Sequence, residues 1–433
     1  MSVKPAALSR TERLRDILQL RFTPLFAGMS EAALAGISPA SVGRRLLRVA
    51  GYTVLRLLGN IVQPIRNPEK LRGAVWLYVV SANNYDSLRF IREARPDSVF
   101  VAGQQKQIGR YQKQVNRLSL RRKLLYYWQF PGVLLGLWRR EGKLALRFFD
   151  LVFYAVGYYE VYRRALRHYR PRAVVFANDH NDDTRALLLA CQTEGIPTAY
   201  VQHASVSPYF PPLGFDLSLL EGQDALDKYR QCGPVAGQVE LVGMPKADGF
   251  LQQRNTSPRV LRVGVACNIH DPLEAIAGLL QALLPTFPEL TFTLRAHPSD
   301  TRNFQELGRQ LPALQFSNSR AEGVFHFLQR QDALVAADTS THLEAVLLNV
   351  ASIYYRFGDK LPDDYYGYVA HGLSERTATS PELESLLRRL YQHKPADLYL
   401  RASYYNATLG TSDEGHSQAR ALRLLAGWLE NVA

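Results

Sequence analysis

A cluster of hydroxyl side chains and one histidine follows an apolar run in the second half of the chain. In Ala333–Leu348, ALVAADTSTHLEAVLL, the run stops at Asp338 and a helical pattern then begins. Thr341 and Glu344 have the spacing of a capping box, which would satisfy the first N–H groups of that helix. Capping leaves three further polar side chains unexplained: Thr339, Ser340 and His342. Hydroxyl groups beside a helix N-terminus bind anions, so the cluster predicts a phosphate site. The predicted donor contacts in this stretch are Thr339, Ser340, Thr341, His342 and Glu344.

A histidine after an earlier predicted strand has the chemistry to complete that site. In Phe292–Phe304, FTLRAHPSDTRNF, His297 stands at the end of the predicted strand. Pro298, which follows it, suits a turn or a first helical position. A histidine at such a strand end can donate hydrogen bonds to phosphate oxygens. Asn268, in the loop CNIHDP, is predicted to line the same pocket. Neither GxGxxG nor GxxxxGK[ST] occurs, so no glycine-rich phosphate loop is expected.

Two loops in the first half of the chain carry groups that can transfer protons. In Val174–Pro208, VVFANDHNDDTRALLLACQTEGIPTAYVQHASVSP, two predicted strands flank one helix, which ends at Gly195. Both strands of a parallel unit point the same way, so their carboxyl-end loops meet at one edge of the sheet. Three residues of these loops are candidates for proton transfer: Asp179, His180 and His203. Four residues are predicted to contact an acceptor: His180, Asp182, Gln202 and Ser205.

The acidic runs of the chain do not have the spacing of a metal site. Asp182 and Asp183 equally suit the first turn of a helix, with Asn181 or Asp182 as its cap. Neither this run nor Pro362–Asp364 offers the spaced carboxylates that Mg²⁺ prefers. We therefore expect no metal and no cofactor.

Short apolar strands alternate with helices in two blocks, which must position all of these residues. The first block contains AVWLYVVS, SVFVA, AVVFAN, PTAYVQ, DLSLL and VELVG, and the second contains VLRVGVACN, LTFTLRAH, DALVAAD and ASIYYRF. The polar segment QQRNTSPR separates the two blocks. This alternation predicts parallel sheets with helices on both faces. The expected fold is α/β, with two doubly wound, Rossmann-like domains facing across a cleft.

These patterns also divide the chain into segments. We predict a basic helical extension at residues 1–70, a first domain at 71–252, a second domain at 258–415, and a helix at 416–433 that returns to the first domain. The first domain contains a basic, aromatic insertion at about 117–169. This insertion suits a membrane surface, packed interior helices or nucleic acid. Its leucine content favours lipid, and no nucleic-acid-binding signature accompanies it, so nucleic acid is not an expected partner.

The composition indicates a globular protein with an anionic partner. The 433 residues are 47% hydrophobic and 21% charged, with a formal net charge of +13. Three cysteines lie far apart without a CxxC pair, which favours a reducing compartment over a disulfide framework. Charge interrupts the N-terminal residues, and no apolar segment reaches the roughly 18 residues of a membrane span. We expect a cytoplasmic protein, attached peripherally to the inner face of the plasma membrane.

The order of these motifs resembles that of bacterial glycosyltransferases with the GT-B fold that build capsule and lipopolysaccharide. The likeness rests on strand–ND–helix, GIPTAYVQHA, RAHPSD and DTSTHLEAVLLNVASIYY, and it covers roughly residues 173–357. It is strongest to enzymes that use CMP-activated sugars, namely capsular Kdo transferases and sialyl- and polysialyltransferases, and to CDP-glycerol transferases. Two features differ: Gln202-His203-Ala204 stands where many relatives have Gln-His-Gly, and the acidic pair followed by glycine of the sialyltransferases is missing.

This resemblance implies a donor site made by His297, Pro298, Ser340 and Thr341, which would contact the nucleotide and its phosphate. It implies transfer of a Kdo-like or sialic-acid-like sugar from a CMP-activated donor to a surface polysaccharide or lipid-linked glycan, without a metal. Asp179 is then the expected general base, and His203 orients the acceptor or replaces Asp179 as base. His297 would stabilise the departing phosphate.

Four alternatives share the predicted architecture. They are a UDP-sugar transferase, a UDP-GlcNAc 2-epimerase-like enzyme, a CDP-glycerol-type glycerophosphotransferase and a non-catalytic scaffold for glycan assembly.

Overall fold

The computed structural model of the chain describes residues 8–62, 64–65, 67–104, 106–358 and 362–432. Within these ranges thirteen strands form two separate sheets, and the α/β prediction with two doubly wound, Rossmann-like domains is confirmed. Residues 1–7 of the predicted N-terminal extension lie outside the described ranges.

Every strand pairing in the two sheets is parallel. The first sheet contains β1 (Val75–Tyr78), β2 (Ser98–Gly103), β3 (Asn116–Leu118), β4 (Ala173–Phe176), β5 (Thr198–Val201), β6 (Leu217–Leu220) and β7 (Gln238–Leu241). The second contains β8 (Arg262–Cys267), β9 (Thr291–Ala296), β10 (Gln315–Ser317), β11 (Ala333–Ala336), β12 (Ala351–Tyr355) and β13 (Glu375–Thr377). The strand orders are β3-β2-β1-β4-β5-β6-β7 and β10-β9-β8-β11-β12-β13.

Helices precede, connect and follow the strands. Those before and within the first sheet are α1 (Arg10–Ile17), α2 (Pro24–Gly28), α3 (Glu31–Ala35), α4 (Val42–Val62), α5 (Ala82–Ala94), α6 (Phe130–Glu141), α7 (Lys143–Arg147), α8 (Phe149–Ala155), α9 (Tyr158–Tyr169), α10 (Asp182–Glu194) and α11 (Gln223–Cys232). Those that follow are α12 (Leu273–Thr286), α13 (Gln305–Gln310), α14 (Val324–Leu328), α15 (Thr341–Leu347), α16 (Ser380–Gln392) and α17 (Ser417–Asn431). Among the described residues, no helix combines the length and apolar character needed to cross a membrane.

Strand β1 shows why both faces of the first sheet are covered. Successive side chains of a strand point to opposite faces of its sheet, and all four side chains of β1 are buried. Trp76 and Tyr78 join a core on one face, whereas Val75 and Leu77 join a second core on the other. Burial on both faces explains why the predicted strands are continuous apolar runs and not alternating ones.

The N-terminal helices and the basic, aromatic insertion pack together on one face of the first sheet. Leu14 of α1, Leu137 of α6 and Val152 of α8 belong to the same core as Trp76. The insertion therefore contributes packed interior helices, which was one of its three predicted roles. Its leucine and tryptophan side chains also remain on the surface at Leu125, Trp128 and Trp138.

Helix α17 follows the second sheet in sequence but packs against the first. Ala421 and Leu425 share a core with β1. The carboxylate of Asp248 accepts the N–H groups of Ser417 at 3.0 Å and Gln418 at 2.7 Å, which holds the start of this helix beside the end of β7. The C-terminal helix thus joins the far end of the chain to the first sheet.

The sequence patterns did not predict three of the strands, namely β3, β10 and β13. Each has only three residues and lies at the edge of its sheet. An edge strand is covered less than a central one, and β10 has two exposed residues and one intermediate residue. Such a strand has no apolar run by which it can be recognised.

Both sheets change their direction of strand addition beside their first strand. The chain adds β2 and β3 on one side of β1 and then places β4 on the other, and β8 lies between β9 and β11 in the same way. Open α/β sheets bind ligands in the crevice at such a switch point, outside the carboxyl ends of the strands. The two crevices therefore lie beyond β1 and β4 and beyond β8 and β11.

The turn after β7 provides a test of the contact between the first sheet and the C-terminal segment. Gly243 has a φ of 79°, and an added Cβ would lie 2.3 Å from Thr408 Oγ1 and 2.4 Å from Ser417 Oγ. We expect Gly243→Ala to lower the free energy of unfolding by about 1–3 kcal/mol, measured by thermal or urea denaturation. Gly249→Ala is the matched control, because no atom lies within 4 Å of its added Cβ. Equal stability of both variants would contradict this contact.

Candidate active site

The carboxyl ends of β4, β5 and β6 bring four titratable residues to one edge of the first sheet. Asp179 and His180 follow β4, His203 follows β5 and Glu221 follows β6. Because the three strands are parallel neighbours, these residues lie on the same side of the domain. The edge therefore contains all three predicted proton-transfer residues together with a glutamate that was not predicted.

Asp179 and His180 form a hydrogen-bonded pair at this edge. Asp179 Oδ1 lies 2.9 Å from His180 Nδ1, and Asp179 Oδ2 accepts the Tyr229 hydroxyl at 2.7 Å. Burial raises the pKa of Asp179, but the hydrogen bonds from His180 and Tyr229 outweigh it and lower the pKa below its usual value. An ionised Asp179 holds the His180 proton on Nδ1, which leaves Nε2 able to accept a proton.

The exposed fractions of these two side chains separate their roles. The Asp179 side chain is 3% exposed, whereas that of His180 is 25% exposed. Asp179 was the expected general base, but both of its carboxylate oxygens accept hydrogen bonds inside the protein. His180 is accordingly the member of the pair that can reach a substrate.

Asn178 makes the turn that places this pair, and the sequence patterns did not single it out. Its side-chain oxygen accepts the N–H groups of His180 at 3.2 Å and Asn181 at 2.8 Å, which is an Asx turn. Asn181 is the residue before α10, and its side chain makes no capping hydrogen bond. Asp182 occupies the first position of that helix, and burial raises its pKa.

Two residues predicted to contact an acceptor instead make contacts within the protein. Gln202 Oε1 accepts the N–H of Glu221 at 2.8 Å, and its amide nitrogen donates to the carbonyl of Ala204 at 3.0 Å. The buried Ser205 hydroxyl bonds to the hydroxyl of Tyr368, which belongs to the second half of the chain. Gln202 therefore connects two strand ends, and Ser205 connects the two domains.

Glu221 is buried and His203 is partly buried, and both are uncharged at neutral pH. Burial lowers the pKa of His203 to about 3, and burial raises the pKa of Glu221 to about 8. Among the described residues, His203 Nδ1 and Glu221 Oε1 have no hydrogen-bond partner. Glu221 directly follows the run DLSLL, so the reasoning applied to Asp179 and His203 would also have found it.

An ion pair joins this edge to the second domain. Lys246 Nζ, which follows β7, donates to Glu344 Oε1 of α15 at 2.6 Å. Burial lowers the pKa of Lys246, but the carboxylates of Glu344 and Glu221 outweigh it and raise the pKa above its usual value. Glu344 therefore contacts the first domain, and its predicted role as a helix cap is wrong. Its contact with a donor stays a prediction.

The capping box predicted for α15 does not form. Ser340 occupies the position before the helix, and no side chain caps it. The Thr341 N–H donates to Thr339 Oγ1 at 3.3 Å, and Thr339 Oγ1 lies 3.0 Å from Thr341 Oγ1. The next two N–H groups, of His342 and Leu343, donate to the backbone carbonyls of Thr339 and Ser340. The hydroxyls of the cluster thus order the loop after β11, and the helix starts with a tight turn.

His342 lies in the core and not in the pocket that was predicted for it. Its residue is 0% exposed, with Nδ1 2.7 Å from Ser352 Oγ and Nε2 2.8 Å from the Ala337 carbonyl. Burial lowers the pKa of His342 to about 4, so the ring is neutral. Both ring nitrogens are occupied, and the predicted donor contact of His342 is therefore wrong. A histidine that satisfies buried polar groups has the same sequence signal as one that binds a ligand.

The loops at the carboxyl edge of the second sheet are tied to one another. Asn268 Nδ2, after β8, donates to the carbonyl of Asp338, after β11, at 3.3 Å. Arg302, in the loop after β9, donates to the carbonyl of Asn268 at 2.9 Å and pairs with Asp300. The predicted donor residues of three different loops are thereby brought to one edge, apart from His342.

A pocket of about 350 Å³ opens beside this edge, between the loops after β9 and β10. Its lining includes His297, Phe304, Phe316, Asn318 and Arg320. The ring of His297 is exposed, its Nδ1 accepts the N–H of Ser299 at 3.1 Å, and partial burial lowers its pKa. Pro298 forms the turn that follows, and Arg320 donates to its carbonyl at 3.1 Å. The pocket thus combines aromatic faces with imidazole, amide and guanidinium groups.

A loop rich in tyrosine, residues 362–372, forms the second connection between the domains. Tyr365 stacks on Tyr209 of the first domain, with ring centroids 6.1 Å apart. Lys228 of α11 donates to the carbonyl of Tyr366 at 2.8 Å. The Tyr365 N–H in turn donates to Asp338 at 2.7 Å, which links this loop to the carboxyl edge of the second sheet. We call residues 362–372 the tyrosine loop.

Within the described part of the chain, no cluster of three or more His, Cys, Asp or Glu side chains is arranged to hold a metal ion. The expectation of metal-independent chemistry stays a prediction.

The buried carboxyl of Glu221 predicts a pH dependence of stability. Its pKa is about 8 in the folded chain against 4.5 for the free side chain, so folding favours the protonated form and stability falls as pH rises between these values. His203 acts in the opposite direction below its free pKa of 6.5, so the clear window is pH 6.5 to 8. Over this window we expect the melting temperature of Glu221→Gln to fall less than that of the wild type, by about one to a few degrees. Glu289→Gln, on an exposed loop, is the control, and its melting temperature should change with pH as that of the wild type does. If the melting temperatures of all three proteins changed equally with pH, Glu221 would not be protonated in the folded chain.

No protein-family model and no curated protein sequence matches this chain. Solved structures do match its fold. A candidate UDP-N-acetylglucosamine 2-epimerase from Listeria monocytogenes superposes with a TM-score of 0.54 at 11% identity, over 83% of this chain and 97% of the other. The wall teichoic acid polymerase TagF, as a variant soaked with CDPG, gives 0.51 at 10% identity, over 90% and 97%. The glycotransferase of kitacinnamycin gives 0.51 at 16% identity, over 83% and 99%. Two parallel, doubly wound domains with these neighbours have the GT-B-like fold, as the sequence motifs predicted.

Proposed function

We propose that this chain is a glycosyltransferase that moves a sugar from a nucleotide donor at the second sheet to an acceptor at the first. The observation that carries the proposal is the Asp179–His180 pair at the switch-point edge of the first sheet. A histidine oriented by a buried carboxylate is an arrangement suited to general base catalysis. Lys246 and Glu344 connect this edge to the domain that carries the pocket.

In this proposal His180 is the base. Its Nε2 takes the proton of the attacking acceptor hydroxyl as the new glycosidic bond forms and the bond between the sugar and the nucleotide phosphate breaks. Ionised Asp179 stabilises the resulting imidazolium. The neutral His203 ring orients the acceptor. Asp182, at the start of α10, lies on the same edge and is a candidate acceptor contact. Gln202 and Ser205 support the site through the contacts that they make within the protein.

The donor nucleotide is proposed to occupy the pocket beside His297. Phe304 and Phe316 would contact the base, and His297 would donate to the phosphate. Thr339, Ser340 and Thr341 lie at the same sheet edge and would contact the remaining phosphate oxygens, while Asn268 holds their loop through Asp338. The departing nucleotide carries the negative charge that develops during transfer, so hydrogen-bond donors at this position stabilise the transition state.

For the donor we propose a CMP-activated, Kdo-like or sialic-acid-like sugar, with a surface polysaccharide or lipid-linked glycan as acceptor. This rests on the motif resemblance, and no metal takes part in it. The likeness to a TagF structure soaked with CDPG supports a second candidate, transfer of glycerol phosphate from CDP-glycerol. Thermal-shift measurements with CMP, CDP, UDP and GDP, all in EDTA, distinguish these cases. CMP is the leaving nucleotide in both cytidine cases, so stabilisation by CMP without CDP favours the sugar donor, and stabilisation by CMP and CDP favours the glycerol donor. Stabilisation by UDP favours an epimerase or a hexose transferase.

The role of His180 is tested by His180→Ala. We expect turnover to fall by about 10²–10⁴-fold while nucleotide affinity stays unchanged, because the proton acceptor is lost and the donor pocket is intact. Initial rates and nucleotide titrations on the same preparation measure the two effects separately. His393→Ala, at the exposed end of α16, is the control and should keep full turnover. Full turnover of His180→Ala would exclude this base.

The donor site is tested by His297→Ala. Loss of one hydrogen bond to a charged phosphate costs about 1.5–3 kcal/mol, which corresponds to about 10–100-fold weaker nucleotide binding. The thermal shift produced by the nucleotide should decrease accordingly, whereas His180→Ala keeps it. His326→Ala changes an exposed histidine of α14 and should bind like the wild type. Unchanged nucleotide binding by His297→Ala would show that the nucleotide binds at another part of the carboxyl edge of the second sheet.

A further inference from the structure

Helix α4 is oriented opposite to an ordinary surface helix. Nine of its apolar side chains are 45–78% exposed, among them Leu46, Leu47, Val54, Leu58, Ile61 and Val62. A surface helix of a water-soluble protein normally turns this face to the core and its charged face to water. In α4 most of the polar side chains face the protein, and Arg45 is only 7% exposed.

Specific polar contacts hold the helix in this orientation. Arg45 donates to the carbonyls of Leu146 at 3.0 Å and Arg147 at 2.8 Å. One turn further, Arg48 pairs with the buried carboxylate of Asp150 at 3.1 Å. Because the inner face is bonded in this way, α4 cannot rotate to bury its apolar face without breaking buried ion pairs and hydrogen bonds.

The other end of α4 is fixed in the same manner. Asn60 Oδ1 accepts the Gln104 amide at 3.0 Å and the Ser119 hydroxyl at 2.8 Å. Tyr52, midway along the helix, packs on Tyr154 with ring centroids 4.6 Å apart. Polar and aromatic contacts therefore hold the inner face along the 21 residues of α4, and the outward face stays apolar over a helix about 30 Å long.

The charges around the apolar face of α4 indicate what kind of partner covers it. Arg44 of α4 is exposed, as are Arg121 and Arg122 at the start of the short helix Arg121–Gln129, which packs against α4. The chain carries a net charge of +13, so a second copy would meet like charge here, whereas an anionic bilayer would meet opposite charge. Trp128 of the same short helix is 68% exposed, and tryptophan is enriched where a protein meets the lipid interface.

We propose that α4 lies in the surface of an anionic lipid bilayer, with its outward face among the acyl chains and the neighbouring arginines on the headgroups. This is the arrangement of an interfacial amphipathic helix. The insertion was the predicted membrane surface, and this proposal gives the main contact to α4, which precedes it. Docking of this kind would bring the first domain to a lipid-linked acceptor, but it requires no transfer activity.

Vesicle flotation with the full chain tests the proposal. We expect binding to vesicles of phosphatidylcholine mixed with phosphatidylglycerol, and weaker binding to phosphatidylcholine alone. Leu47→Gln combined with Ile61→Gln, the two most exposed of these side chains, should raise the lipid concentration for half-binding by about tenfold or more. Leu400→Gln combined with Val432→Gln removes two exposed apolar side chains elsewhere and should leave binding unchanged.

Each other result overturns the proposal. Absence of flotation, or equal flotation of both double variants, would exclude α4 as the lipid contact. A dimer in light scattering that the α4 variant dissociates, without vesicle binding, would show that a second copy covers the face. Melting temperatures of both variants confirm that they are folded. Since neither nucleotide nor turnover enters the measurement, failure here leaves the proposed transfer reaction untouched, and failure of that reaction leaves this proposal untouched.

Discussion

The parallel direction of every strand is the constraint on which the candidate site depends. Because parallel neighbours end at the same edge, the first sheet gathers Asp179, His203 and Glu221, and the second gathers the loops of Asn268, His297 and Asp338. These residues come from distant parts of the chain, and no local structure would bring them together. The Lys246–Glu344 ion pair and the tyrosine loop then connect the two edges.

Neighbouring groups at the carboxyl edge of the first sheet have different protonation states because their burial and hydrogen bonds differ. Asp179 keeps its charge because His180 and Tyr229 donate to it, whereas burial keeps Glu221 protonated and His203 neutral near pH 7. Titratable groups whose environments move their pKa values apart can take different roles in proton transfer. This separation leaves His180, oriented and partly exposed, as the group best suited to accept a proton.

Helix α4 differs from the rest of the first domain in which of its side chains face the protein. In most of the first domain apolar side chains face a core, as Trp76 and Leu137 do. In α4 the inward-facing side chains include Arg45 and Arg48, which are hydrogen-bonded to the protein, and the apolar face is left outside. An isolated helix with this sequence has the same amphipathic pattern whichever face is buried. The positions of the partners of the inner face, among them Asp150 and the Leu146 and Arg147 carbonyls, determine which face turns inward.

Local sequence by itself determined the central strands, the α/β class and the polar residues that follow strand ends, because buried parallel strands are continuous apolar runs with abrupt ends. It placed Asp179, His203 and His297 directly after strands, as the structure does, and it also predicted a capping box that does not form. What it could not determine was the partner of each polar side chain. Glu344 pairs with Lys246 98 positions away, His342 turns into the core towards Ser352, and Asp179 is enclosed by Tyr229. These outcomes depend on distances between residues remote in sequence, which only the packed tertiary structure decides.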